Sequence, residues 1–120
     1  MENKLRQLCQ SQTGSEEKYV EDWGAFNYTV GGKMFAILGI DKHKKPIISL
    51  KCDPLLSEGL RKEYEAINPG YYLSKVHWNS IYYKDAVPME LLTQLIDESY
   101  HIVFSSLTKK KQREILENLE

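Results

Sequence analysis

The chain has 120 residues, 42% of them hydrophobic and 28% charged, with a formal net charge of −1. That length suits one compact domain with its own core, so residues 1–120 are read as a single unit. Near-neutrality argues against binding polyanions over the whole surface, because such binding rests on neutralising many phosphates; it leaves room for a local basic face.

Two cysteines, Cys9 and Cys52, make no disulfide framework. The opening Met1-Glu2-Asn3-Lys4 lacks the apolar stretch of a secretory signal, and no apolar run approaches bilayer length. These features point to a reducing, cytoplasmic setting with no membrane partner.

Leu5, Leu8 and Cys9 recur at i, i+3 and i+4, which predicts a short amphipathic helix with Cys9 facing the core. Gly14 is the expected stop. Asp22 to Val30 reads as a strand, and Gly31-Gly32 as a two-residue hairpin turn, since both positions tolerate positive φ. Lys33 to Ile40 is the return strand. Both of its alternating sets are largely apolar, which predicts a central strand covered on both faces.

Asp41-Lys42-His43-Lys44-Lys45 is a polar turn, and Pro46 begins the next strand, which runs to Lys51-Cys52. Asp53-Pro54 is a helix start: the aspartate accepts from orphan N–H groups, and the proline has no N–H to leave unpaired. Leu56, Leu60 and Tyr64 then supply the predicted inward stripe. Asn68-Pro69-Gly70 breaks the chain, and Tyr71 to Val76 and Ser80 to Tyr83 are strand-like. The intervening His77-Trp78-Asn79 is a bulge, a turn or continuous strand. Pro88 opens the longest helix, with Leu91, Leu92, Leu95, Ile96, Ser99, Tyr100, Val103 and Leu107 at helical spacing. Thr108 is placed to cap a last helix bearing Ile115, Leu116 and Leu119. The expected class is α+β, an antiparallel sheet with helices packed on one face.

Residues that carry chemistry are few. His43, His77 and His101 stand far apart and neither cysteine has a nearby partner, so no metal site is read. Cys52 and His77 could pair as nucleophile and base, but nothing identifies an orienting group or an oxyanion hole. Gly31-Gly32 lacks phosphate-loop spacing and joins two strands. No cofactor is called for, and the chain is read as non-enzymatic.

What stands out is basic and aromatic. Residues 69–83 hold one of the two tryptophans and four of the eight tyrosines, with Lys75, His77 and Asn79 among them. In an extended segment these three would share a face opposite Trp78. Structurally, Trp78 would fill the core while His77 and Asn79 satisfied backbone groups at a bend. Functionally, the lysine would meet a phosphate while the histidine and asparagine bonded a ligand. Lys109-Lys110-Lys111 poses a similar choice. In a first helical turn these cations oppose the macrodipole unless an anion sits nearby; otherwise the preceding helix simply continues through them.

The ordered set Gly32-Lys33-Met34-Phe35, Leu50-Lys51-Cys52-Asp53-Pro54, Leu60-Arg61, Asn68-Pro69-Gly70-Tyr71, Lys75-x-His77-Trp78-Asn79 and Asp97-x-Ser99-Tyr100 resembles the MmcQ/YjbR family of small bacterial proteins. The likeness runs from about Leu5 to Leu116. It implies a CyaY-like α+β fold in a double-wing arrangement and the family's label of DNA-binding protein. Many members have histidine where Tyr72 stands and asparagine where Ser74 stands. The fold's kinship to frataxin-like proteins raises iron binding, but Glu16, Glu17, Glu21 and Asp22 are the only crowded acids near the first helix, so iron handling ranks low.

Two functional expectations follow. In the first, Lys33, Lys42, Lys44, Lys45, Lys75, Lys109, Lys110 and Arg113 contact the phosphates of duplex DNA, with His77 and Asn79 adding hydrogen bonds. In the second, Tyr71, Tyr72, Tyr82 and Tyr83 form an aromatic surface for a protein partner or a small ligand. Cations gathered in one stripe favour DNA; cations scattered around an aromatic groove favour the second.

Overall fold

Side-chain caps at Asp53 and Thr108 start two of the helices, and glycines set several of the turns between strands. The computed structural model describes residues 1–118. Leu119, expected on the last helix, lies outside them. Helix α1 (Glu2–Gln10) buries Leu5 and Cys9 as its spacing predicts. It ends at Ser11, whose backbone N–H returns to the Gln7 carbonyl. Gly14 therefore serves the following turn, not the helix stop. That turn feeds β1 (Ser15–Val20), an edge strand ahead of the Asp22–Val30 strand read from the sequence.

A one-turn 3-10 helix (Glu21–Trp23) closes on Gly24 and leads into β2 (Ala25–Val30), which is hairpinned through Gly31-Gly32 to β3 (Lys33–Ile40). Gly31 has φ +58°, and a Cβ there would lie 2.7 Å from a Leu107 methyl, so both the conformation and the close approach require glycine. The register slips between Tyr28 and Thr29, opposite Phe35. This bulge lets consecutive Phe35 and Ala36 both be buried.

Strand β4 (Pro46–Lys51) starts at the proline as expected. Helix α2 (Pro54–Glu63) is capped by Asp53, whose carboxylate accepts from the N–H groups of Leu55 and Leu56 at 2.9 and 3.3 Å. Its inward stripe differs from the predicted one. Leu56 is exposed, while Ser57 and Leu60 are buried and Arg61 reaches inward. The next strands are β5 (Ile67–Pro69) and β6 (Trp78–Ile81). Tyr71 to Val76, expected to be strand-like, form with His77 a turn-rich loop that starts at Gly70, and Trp78 and Asn79 open the strand that follows. Helix α3 (Met89–Ser106) buries Leu92, Leu95, Ile96, Ser99, Tyr100 and Val103. Helix α4 (Lys109–Glu117) is a separate element, capped by the Thr108 hydroxyl, which accepts from the Lys111 N–H at 3.1 Å.

The six strands form one antiparallel sheet in the order β1-β2-β3-β4-β6-β5. Tyr28, Phe35, Leu38, Ile48, Leu50 and Ile81 on its helical face join Leu5, Leu92, Ile96 and Val103 in the core. Ser99 ties α3 to the sheet: its hydroxyl donates to the Phe35 carbonyl and accepts from the Lys51 N–H. Ala25, Ile47 and Trp78 are also buried but stand outside that core, on the opposite face. β3 is thus central, yet only its helical face is covered, and there only up to Leu38; Met34, Ile37 and Gly39 on the other face stay partly open. No described helix is long and apolar enough to cross a membrane.

Candidate binding groove

The helix-free sheet face is partly roofed by the loop from Gly70 to His77. Several short contacts pin that loop. The Tyr71 N–H donates to the Ser80 hydroxyl at 2.8 Å, and Ser80 meets the Ser49 hydroxyl at 2.7 Å. The Lys75 ammonium donates to the Gly70 carbonyl at 2.8 Å. Arg61 reaches from α2 to the carbonyls of Lys75 at 2.6 Å and Trp78 at 3.2 Å, and to the Asn79 side-chain oxygen at 2.7 Å. The Asn79 amide then donates to Ser57 at 3.0 Å.

These contacts change the roles expected of this segment. Asn79 is only 2% exposed and both ends of its amide are used, so it is a buried post for Arg61 and not a surface contact. Lys75, His77 and Asn79 share no face, because 74–77 is not extended. His77 is exposed, and its backbone carbonyl accepts the Cys52 N–H. Cys52 and His77 therefore meet through backbone, and burial pushes the Cys52 thiol up, opposite to what activates a nucleophile. Trp78 is buried beneath the loop, not in the helical core, with its Cβ 2.9 Å from where a Gly70 Cβ would stand.

Between this loop, the 3-10 helix and the β3–β4 turn lies a cavity of about 560 Å³. Its floor includes Ala25, Gly39 and Ile47, which sit side by side on β2, β3 and β4. Gly39 is required there: a Cβ would come within 2.6 Å of the Ala25 Cβ. Trp23 borders one side, and Tyr71, Tyr72 and Leu73 the other. Trp23 is 50% exposed and Tyr72 87%. Tyr72 also has φ +58°, a left-handed conformation that a bulky side chain adopts at a cost of about 1–3 kcal/mol. Its ring rests edge-on against Tyr71, centroids 4.5 Å apart.

At the mouth stands Asp41. Its carboxylate accepts from the N–H groups of His43 at 2.8 Å and Lys45 at 2.9 Å, and from the Tyr82 hydroxyl at 2.9 Å. The backbone bond from Lys45 is the largest of the causes that hold its pKa below the usual carboxylate value. Of the four tyrosines expected on an aromatic surface, Tyr71 and Tyr72 line the groove. Tyr82 is half-buried beside Asp41, and Tyr83 belongs to the core. Trp23 was not anticipated at a site, and Asp22 was weighed only among the acids of a low-ranked iron reading.

The expected basic residues fall into separate groups. Lys42, Lys44 and Lys45 occupy the β3–β4 turn, where Lys45 pairs with Asp85 at 2.8 Å and lies 4.3 Å from the Tyr82 ring centre. Lys33 starts β3 at its other end, about 23 Å away along an extended strand of eight residues. Its ammonium is 3.5 Å from the Ser106 hydroxyl, which places it beside the α3–α4 junction with Lys109, Lys110, Lys111 and Arg113. Lys111 also approaches Glu114 at 3.8 Å. Most of the expected cations thus gather at two ends of the sheet, Lys75 stands apart in the Gly70–His77 loop, and they form no single stripe. Among the described residues, no three His, Cys, Asp or Glu side chains converge as a metal set.

Residues 10–102 match the family model described as YjbR. The chain is 30% identical to YjbR of Escherichia coli (strain K12) over 92% of its own length and 93% of that protein. It is 34% identical to YyaQ of Bacillus subtilis (strain 168) over 72% of its length and 79% of that protein. Among solved structures it resembles a Deinococcus radiodurans protein with a DUF419 domain at TM-score 0.85 and 33% identity, covering 94% of this chain and 86% of that one. A Pseudomonas syringae protein shares the fold at TM-score 0.74 and 20% identity, over 84% of this chain and 97% of that one.

Proposed function

The chain belongs to the YjbR family, and from that premise we propose that it is a non-enzymatic binding module that seats a small ligand in the groove on the helix-free sheet face. One observation carries this reading: an apolar cavity of about 560 Å³ bordered by two exposed aromatic rings, one of them on a strained backbone. That volume falls within the range of small-molecule sites, which are mostly apolar with a few placed polar groups. The expected cations form no single stripe, and only Lys42 among them lines the groove, which favours a ligand module over a polyanion surface.

The test is a fragment screen read by two-dimensional NMR on the full chain. Shifts clustered on the amides of Ala25, Gly39, Ile47 and Leu73 are expected. Hits that perturb only residues away from this face would overturn the reading.

A second reading, binding to double-stranded DNA, is favoured by the basic end alone. There Lys33, Lys109, Lys110, Lys111 and Arg113 are all exposed, beside the capped start of α4. A few phosphate contacts would give modest, salt-dependent affinity, each adding about −0.9 to the slope of log K against log salt. Titration with mixed-sequence duplex at two ionic strengths checks it. Binding that weakens with salt and falls when Lys109, Lys110 and Lys111 become alanine supports it; equal retention of both proteins removes it.

A further inference from the structure

We propose that the groove takes a planar aromatic heterocycle bearing an amino group, an assignment that rests on the groove being the binding site. Its floor, its rims and its charge each point there.

The floor favours a flat ligand. Ala25, Gly39 and Ile47 span two interstrand spacings, about 10 Å. The alanine and glycine leave the β2–β3 part of the surface low and smooth, because a Cβ added at Gly39 would come within 2.6 Å of the Ala25 Cβ. Gly39 is the partly open member of that floor, Ala25 and Ile47 being largely covered, so the room above it suits a thin, flat ring.

The rims favour an aromatic. Trp23 and Tyr72 present exposed rings on either side of that floor. Aromatic rings hold partners by stacked or edge-on contact and attract positive charge over their faces. Tyr72 gains nothing from the core: it is almost wholly exposed, and its left-handed backbone would suit glycine better. Recognition of a ring explains why a tyrosine stands there.

The charge favours a donor edge. Two carboxylates, Asp22 and Asp41, line the groove against one ammonium, Lys42. Asp41 is oriented by its three hydrogen bonds, while Asp22 has neither ion pair nor side-chain hydrogen bond among the described residues. An exocyclic amine meets the open Asp22 carboxylate, with the engaged Asp41 adding negative charge nearby, whereas an anionic substituent faces a carboxylate excess.

The experiment titrates the full chain by two-dimensional NMR with adenosine, with purine riboside (the same ring without the amine), with 2-naphthoate and with octanol. Adenosine should move the Ala25, Gly39 and Ile47 amides and bind about ten-fold tighter than purine riboside. Asp22→Asn should reduce that ratio to near one. Tyr72→Gly should weaken adenosine at least five-fold without lowering Tm, since glycine relieves the backbone strain; a merely structural tyrosine would show the reverse. Equal affinity for the two nucleosides, or preference for 2-naphthoate, would overturn the ligand class. Octanol moving the same amides while adenosine moves none would overturn the class but leave the groove as the site. If no probe moved them, the groove reading would fail with it.

Discussion

Glu17 shows how one residue joins three elements. Its carboxylate accepts two bonds from Arg6 on α1, at 3.0 and 3.2 Å, one from Gln10 at 3.0 Å and one from the Tyr28 hydroxyl on β2 at 2.6 Å. The Arg6 guanidinium, which also stacks 4.1 Å from the Phe26 ring centre, is the largest cause of a Glu17 pKa below the usual carboxylate value. A depressed folded-state pKa adds stability that is present above the unfolded pKa and lost as pH falls through the folded one. Glu17→Gln should therefore lower Tm at neutral pH, with the gap to wild type closing in acid. A pH series of thermal melts checks this; a gap unchanged from pH 7 down to pH 2 would contradict it. Nearby Cys9 takes the opposite sense, its thiol pushed up to about 12 mainly by burial. Both cysteines are buried, structural side chains.

Among the elements, α2 is set by its cap and by two polar residues on its inner side. Asp53→Ala removes the bonds to Leu55 and Leu56 and should cost about 1 kcal/mol, the usual worth of such a cap. Urea unfolding measures it as a lower midpoint with an unchanged slope. Ser57 and Arg61, not a run of leucines, link this helix to β6 through Asn79. A helical wheel assigns polar residues outward, so this contact was not legible from spacing. The capping signal at Asp53-Pro54, the Gly31-Gly32 hairpin and the α3 stripe were legible, because each is a local preference of backbone or periodicity. Strand β1 was not: Ser15-Glu16-Glu17-Lys18 lacks apolar alternation, and an edge strand needs little of it once β2 offers its hydrogen bonds.

At the scale of the molecule, the sheet has two unlike faces. Helices seal one, and a clamped loop half-covers the other. Arg61 controls that loop from α2. Arg61→Ala should speed hydrogen exchange at residues 71–77 and weaken ligands of the groove, while exchange in α3 stays slow. Acceleration spread equally through α3 would mean general destabilisation instead of a loosened roof. The basic end beside α4 lies at the far end of β3 from the β3–β4 turn at the groove mouth. Alanines at Lys109–Lys111 should therefore leave groove binding intact, as expected for distant sites without shared partners.

The amino-acid sequence by itself determined the α+β class, the hairpin, the helix cap, the long apolar helix and the family, because these follow from local conformational preference, periodicity and ordered short motifs. Only the tertiary structure decided that 71–77 is a loop over the sheet, that Asn79 is a buried post, and that most of the expected lysines part to two ends. Those outcomes depend on contacts between residues far apart in the chain, where Arg61 meets Asn79 and Tyr71 meets Ser80. Local preference carries no record of such meetings.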